Sequence, residues 1–387
     1  TTASQDGATT GEGAAPTADA VPTASPQSAP SNNTAVSAEG TLRLAFGELG
    51  NQIMVPRMTS AFGKDPLVLA YDSLVGSDTK GRISQERGIA SEWTLAEDNQ
   101  SWSFKLRQGI KFQDGSDLTA QDAKFSIEQL ILPDSGAGYA GTVRNGVESI
   151  EAVDDYTLVV HNPNPRPFFP WDVSGVRGTE GMIIPMDYFM SLGANQQERD
   201  NAFTQQPIGS GPYKVLEAKL GDRITLESWG EHWREGVPKY KQVQYLIVPE
   251  ESTRIAMLQT GEADTADVSR ERVSSLRDQG LNVFIKEKAD VMGCYFHEQW
   301  EDVPVAKKEV RQALNLAINR QEILDSLYSG QGELVPMYPI GSFSIGSGGD
   351  ASLQPYPYDP ERARELLASV GESDMEITIA SYRRQGL

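Results

Sequence analysis

The chain has 387 residues, 34 basic against 54 acidic side chains for a net charge of −20, and 39% hydrophobic residues. At roughly 100–200 residues per domain, that length holds two or three domains. No apolar run reaches the roughly 18–20 residues that cross a bilayer as a helix, and the acidic balance argues against nucleic acid and anionic lipid as partners.

Residues 1–40 are mostly Ala, Thr, Ser, Gly and Pro, with Val21 and Val36 as the only large aliphatics and Asp6, Glu12, Asp19 and Glu39 as the only charges. Such a segment has too little apolar surface to offset its ordering entropy, so disorder is predicted there. It lacks the basic start and apolar centre of a signal peptide. It reads either as a spacer that holds a folded unit away from its attachment or as an end without a role.

From Thr41 the pattern changes. Thr41-Leu42-Arg43-Leu44-Ala45-Phe46 alternates as a strand does, and the loop Gly47-Glu48-Leu49-Gly50 follows. Further strands are predicted at 101–106, 147–153, 156–160, 211–219, 223–228, 242–248, 281–287, 291–297 and 375–380. In the 223–228 strand, Ile224 and Leu226 alternate with Arg223, Thr225 and Glu227, the sign of a half-exposed sheet face.

Helices carry clearer start and stop signals. Thr119 and Asp122 open one as a capping pair, with Ala123, Ile127 and Leu130 along one face. Ile255 and Leu258 mark a helix over 252–259 that stops at Gly261. The run 306–318 sets Val310, Leu314, Ala317 and Ile318 on one stripe, and Asn319 with Glu322 starts another helix over 320–328. Asp359-Pro360-Glu361 combines a capping side chain, a proline at the first helical position and an acid against the dipole, and that helix ends before Gly371. Interleaved strands and helices place the chain in the α/β or α+β class with more than one lobe.

Little points to catalysis. The sequence contains no Gly-x-Ser-x-Gly turn, no His-Glu-x-x-His and no Walker-type loop. Gly209-Ser210-Gly211-Pro212 has proline where a phosphate cradle needs a backbone N–H, so it reads as a tight turn into the next strand. His161, His232 and His297 are too far apart in sequence to show ligand spacing. Cys294, the single cysteine, excludes an internal disulfide, and its neighbours Met292, Gly293, Tyr295 and Phe296 suggest a buried, inert thiol. Paired carboxylates for glycoside hydrolysis are defined by spatial separation and stay open.

Four stretches in order carry a resemblance. Ile89 to Trp93, Trp102 to Gly115 and Leu118 to Ser126 form the first. Pro207-Ile-Gly-Ser-Gly-Pro-Tyr213, followed by Ser252-Thr-Arg-Ile-Ala-Met-Leu-Gln-Thr-Gly-Glu-Ala-Asp264, forms the second. Val310 to Arg320 and Tyr356 to Leu367 complete the set. Together they resemble the family 5 extracellular solute-binding proteins of ABC importers, the group of oligopeptide, dipeptide and nickel binders. Read physically, most of these residues are architecture: Trp102 to Phe112 looks like a hairpin turned at Gln108-Gly109, Asp114-Gly115 is a second turn, and Asp122 caps a helix.

The resemblance implies an α/β, two-lobe, type II periplasmic-binding-protein-like fold with an extra subdomain in the first lobe. The first-lobe core would take 41–61 and 172–270, the inserted subdomain 62–171, and an incomplete second lobe 271–387. Relatives of this kind continue beyond such an end, so the chain is expected to be truncated. The expected function is extracytoplasmic capture of a small solute, most simply a peptide, by hinge closure for delivery to membrane permease subunits. The precursor would be lipid-anchored, periplasmic or at the cell surface. A monomer without cofactor, metal or nucleic-acid partner is expected. An oligosaccharide ligand, a sensory binding protein and, remotely, a hydrolase are the alternatives.

Three loops are the candidate contacts. The first is Glu48-Leu49-Gly50, because in this family the loop after the first strand lies at the cleft. The second runs from Arg177 to Met182, where Arg177 meets either a ligand carboxylate or its own domain. The third is the end of the 291–297 strand, with Phe296 and His297; His297 stands where relatives carry Asn, which removes the family's usual contact as a guide there. Trp300 nearby either stacks on a ligand ring or packs. The family's acid for a peptide's amino terminus falls in the later second lobe and is not assigned here.

Overall fold

The structure, a computed structural model, describes residues 39–59, 63–285, 293–294, 296, 303–328, 330, 332–336 and 352–379. In chain order the strands are β1 (Thr41–Phe46), β2 (Gly76–Ser77), β3 (Ile83–Ser84), β4 (Ala90–Leu95), β5 (Ser101–Leu106) and β6 (Ser149–Asp154). After these come β7 (Thr157–His161), β8 (Tyr213–Lys219), β9 (Arg223–Ser228), β10 (Gln242–Ile247) and β11 (Thr265–Ala266). The helices are α1 (Leu67–Ala70), α2 (Ala120–Leu130), α3 (Ala140–Arg144), α4 (Phe169–Asp172), α5 (Met186–Ser191) and α6 (Gln196–Gln205). The remainder are α7 (Glu251–Thr260), α8 (Val273–Asp278), α9 (Lys308–Ala317), α10 (Arg320–Tyr328) and α11 (Pro360–Ser369).

Two sheets carry two cores. The first sheet has the order β11-β1-β10-β9-β8. Its first strand pairs parallel with two partners that arrive about two hundred residues later, Leu44 opposite Tyr245 on one side and Thr265 on the other. The second sheet, β4-β5-β7-β6, is antiparallel throughout. Phe104, Phe112, Phe169 and Ile127 fill the core on the second sheet, and Met54, Leu67, Phe189 and Phe203 fill the core on the first. Each large side chain buried this way contributes roughly 1.5–3 kcal/mol.

Helix α2 is fixed as its caps foretell. The Thr119 backbone N–H and hydroxyl both donate to Asp122 Oδ2 at 2.9 Å, and the other Asp122 oxygen accepts the Met186 N–H at 2.9 Å. One carboxylate therefore holds the start of α2 and fastens it to α5. In α7, Gly261 closes the helix at φ +77. Its buried Arg254 donates to the carbonyls of Val248, Pro249 and Asp267 at 2.7 to 3.0 Å, tying α7 to the ends of β10 and β11.

Several expectations need correction. Trp102 to Phe112 is not a hairpin: β5 has both hydrogen-bonding edges occupied, by β4 and by β7. Gly109, at φ +79, therefore turns the chain away from the sheet, and Ile110 and Phe112 enter the core. The residues at 281–285 and 375–379 are not strands, and none of the described strands pairs with them to satisfy their backbone groups; positions 286–292 and 380 lie outside the described residues. Cys294 is exposed rather than buried, because Gly293 and Cys294 belong to no sheet that could cover the thiol. In α9 the buried face is Val310, Ala313 and Leu316, not the predicted stripe, because α11 packs Ala363, Leu366 and Leu367 against that side. A cation–π contact of 4.6 Å from Arg270 to the Tyr328 ring links the turn at 270–272 to α10.

Candidate functional site

Of the eight candidate residues, six are described; His297 and Trp300 lie outside the described residues, and Phe296 is half-buried in an irregular stretch. Glu48 is exposed just after β1, and Gly50 takes φ +55. Leu49 and Met182 turn inward and join the same buried cluster on the first sheet. Each loop is thus anchored in that core by one side chain, which leaves only backbone atoms of these two residues to face a solute. The Gly47 N–H donates to Asp267 at 3.1 Å, which pins the first loop beside β11.

Arg177 is engaged with its own domain. Its guanidinium reaches Asp172 at 3.2 Å and lies 4.3 Å from the centre of the Tyr139 ring. Asp172 also takes Arg166 at 2.8 Å. Arg177 Nε is buried with no partner. Beside it, Glu180 is 4% exposed; one carboxylate oxygen accepts the Tyr139 N–H at 2.8 Å, while Oε2 is buried and unpartnered. Glu180 and Tyr139 escape a sequence reading, because nothing in the hydrophobic pattern announces a buried acid; the flanking Gly178 and Gly181 are the only hint.

A second polar centre lies at Asp72. It accepts the Ser210 hydroxyl at 3.2 Å and the Trp233 indole N–H at 2.8 Å, and His232 Nε2 stands 3.2 Å away. The Arg107 guanidinium sits 5.1 Å from the Trp233 ring centre. Its neighbour Tyr71 donates to the Met54 carbonyl at 2.7 Å, and burial, with Tyr188 nearby, pushes that phenol well above its ordinary range. Tyr71 is thus a neutral donor at any physiological pH, and this centre is a joint between segments far apart in sequence. A shallow groove of about 610 Å³ borders Ile53, Met58, Leu192 and Glu198 and contains none of the eight candidates. Among the described residues no group of three or more His, Cys, Asp or Glu side chains could hold a metal ion, and no helix is long and apolar enough to cross a membrane.

The chain matches the family described as bacterial extracellular solute-binding proteins, family 5 Middle, over residues 85–385. It belongs to that family. Similar curated proteins include the glutathione-binding protein GsiB of Salmonella typhimurium, 29% identical over 304 residues, covering 79% of this chain and 56% of the relative. The protein of that name from Escherichia coli O1:K1 / APEC is 28% identical over 301 residues, covering 78% and 56%. The chain thus spans about half the length of the curated relatives it matches.

Among solved structures, the periplasmic binding protein AgaA of A. tumefaciens R10 in complex with agropinic acid aligns with a TM-score of 0.73 at 25% identity, over 87% of this chain and 65% of that one. DppA from Helicobacter pylori in complex with the peptide STSA aligns with a TM-score of 0.67 at 24% identity, over 87% and 67%. The α/β, type II binding-protein fold follows from these likenesses. The family's motifs fall mainly on scaffold: Arg254 on carbonyls, Asp122 at a helix start, and Gly209 and Gly211 against the backbone of Ala70 and Tyr71.

Proposed function

We propose that this protein is the extracytoplasmic solute-binding component of an ABC importer, that its solute is a peptide, and that capture proceeds by closure of two lobes over an interlobe cleft. The family match over 85–385 carries this reading. The first lobe would consist of 41–61 and 172–270 with the 62–171 subdomain inserted, and the second would begin at 271; the core on the second sheet is drawn mainly from 62–171, which is in keeping with the inserted subdomain. The loops at Glu48 to Gly50 and Arg177 to Met182 would face the cleft from the first lobe, Glu48 with its exposed side chain and Leu49 and Met182 through backbone atoms alone. Phe296, His297 and Trp300 would approach from the second. The protein would act as a monomer with permease subunits, on a lipid-anchored spacer formed by residues 1–40.

Peptide is favoured over sugar because the similar curated relatives are named for glutathione, itself a tripeptide. The 25% identity to a structure holding agropinic acid makes that compound the second solute to try. The test is native mass spectrometry of solute carried through purification, joined to thermal shifts against peptides, agropinic acid and oligosaccharides. A solute at 100 times its dissociation constant adds roughly 2.7 kcal/mol. A protein that carries no solute and whose melting temperature no member of the panel moves overturns the reading.

A further inference from the structure

Strand β1 pairs parallel with β10 on one side and with β11 on the other, so the chain leaves all three strands at one end of the first sheet. In open sheets with parallel strands, solutes bind outside those carboxyl ends. The turn between β8 and β9 is brought to the same end. Arg223 pairs there with Leu246, and the Ile247 N–H donates to the Asp222 carbonyl at 2.8 Å. The loop that follows β1 meets this turn at Gln52, whose Oε1 accepts the Gly221 N–H at 3.0 Å.

That bond fixes the sense of the Gln52 amide. A backbone N–H can only donate, so the oxygen faces Gly221 and the two amide N–H groups face away from it. They meet no acceptor among the described residues, although the side chain is half-buried. Gln52 also holds φ +52, a left-handed conformation suited to Gly, Asn and Asp. Asn51 is next to it, yet the glutamine takes the bend, and strain of this kind collects where a side chain is held for a ligand.

The cations at this end of the sheet are already matched. Lys219 pairs with Asp222 at 2.7 Å, Arg223 with Glu217 at 3.1 Å and Arg254 with Asp267 at 2.9 Å. Gln52 therefore offers a neutral donor beside matched charges, which suits a neutral acceptor better than a carboxylate. We infer that Gln52 is a specificity-determining residue whose amide N–H donates to a backbone carbonyl of a bound peptide. The Gly221 N–H holds the amide in the donating orientation, so the β8–β9 turn is part of the recognition and not only of the scaffold. The inference rests on the solute-binding reading and adds to it a side chain outside the eight candidates.

The test is calorimetric titration with trialanine and trialaninamide of the wild type, Gln52→Glu and Gln52→Met, with a urea midpoint for each protein. Gln52→Glu keeps an oxygen for the Gly221 N–H but puts a second oxygen where the donor stood. It should keep the wild-type midpoint and bind both peptides about tenfold more weakly, the scale of one lost hydrogen bond. Gln52→Met loses both contacts and should lower midpoint and affinity together. Wild-type affinity in Gln52→Glu makes the residue a strut for the turn and overturns the inference. A midpoint in Gln52→Glu as low as that of Gln52→Met does the same, because the affinity loss is then structural. A loss confined to trialanine assigns the contact to the terminal carboxylate and overturns the carbonyl. A wild type that binds neither peptide also overturns it. A solute of another class recovered by native mass spectrometry would then leave the solute-binding reading standing, so the two failures are distinguishable.

Discussion

The Trp233 indole N–H donates to the Asp72 carboxylate at 2.8 Å across 161 positions of sequence, and the same carboxylate takes the Ser210 hydroxyl and faces His232. Asp72 follows α1, Ser210 lies in the turn before β8, and Trp233 lies between β9 and β10, so one side chain gathers three segments. Asp72→Ala should lower the unfolding free energy by about 2–4 kcal/mol, since several donors lose a shared buried acceptor. Trp233→Phe should cost about 1 kcal/mol from the lost hydrogen bond, with Ser210 and His232 still in place. Urea denaturation of both variants checks this. An equal loss in the two would move the weight from the carboxylate to the packing of the indole.

The turn at Gly209 to Pro212 makes a steric prediction. A Cβ at Gly211 would lie 2.5 Å from the Ala70 carbonyl carbon and 2.6 Å from the Tyr71 nitrogen, and one at Gly209 would lie 2.1 Å from the Ala70 oxygen. These neighbours are backbone and cannot swing aside. Gly211→Ala should therefore destabilise by about 3 kcal/mol or more. Gly115→Ala is the comparison: its φ is +93 but nothing lies within 4 Å of the new methyl. It carries only the conformational penalty, about 1 kcal/mol. Thermal melts of the two variants should separate clearly, and matching melts would show that the turn opens to admit a methyl.

Where local chemistry sets an element, its bounds are legible in the sequence. Alternation marks Thr41–Phe46 and Arg223–Ser228, and the Asn319 and Asp359 caps mark α10 and α11 at the residues where the Glu322 and Arg362 N–H groups donate to them. Strand β4 is missed because Ser91, Glu92 and Thr94 give it a mixed pattern, and only its pairing with β5 makes it a strand. Helix α6 is missed because its ten residues bury only Asp200 and Phe203. The candidate loops are named from the family resemblance, and their inner chemistry is not legible in the sequence. Leu49 points into the core, Arg177 is drawn to Asp172, and Glu180 meets Gly138 and Tyr139, which no local pattern links to it.

Arg57 makes the strongest case for a polar contact that the fold needs. It is 3% exposed, its Nε donates to Asp200 at 3.3 Å, and its carbonyl accepts the N–H groups of Gly136 and Ala137 at 2.9 and 3.0 Å. Its side chain thus reaches α6 beside the first sheet's core, while its backbone holds the loop that carries Ala137 into the second. Arg57→Ala leaves the Asp200 carboxylate buried without its cation, and should cost about 3–5 kcal/mol. The double variant Arg57→Met with Asp200→Leu should recover much of that loss, because the uncompensated charge is gone. A double variant no better than the single would show that the backbone bonds around Arg57 depend on its guanidinium.

Glu251 gives the pH dependence. It opens α7, its carboxylate accepts the Ser269 N–H, and Arg272 approaches at 3.5 Å, so it holds the segment that leads from β11 to α8. Burial pushes this carboxyl up, yet the Ser269 N–H and hydroxyl and the Arg272 guanidinium together outweigh burial and hold it below its ordinary value. For an acid lowered in the folded state, the stabilisation is fully present above the unfolded value of about 4.3 and is lost as pH falls through the lower folded value. Glu251→Ala should therefore reduce stability at pH 7 by about 1–2 kcal/mol. The gap between variant and wild type should narrow below about pH 4, as the wild-type carboxylate is protonated. Denaturant midpoints measured from pH 7 to pH 3 read this directly. A gap that stays constant over that range would mean that Glu251 acts through helix packing and not through its charge.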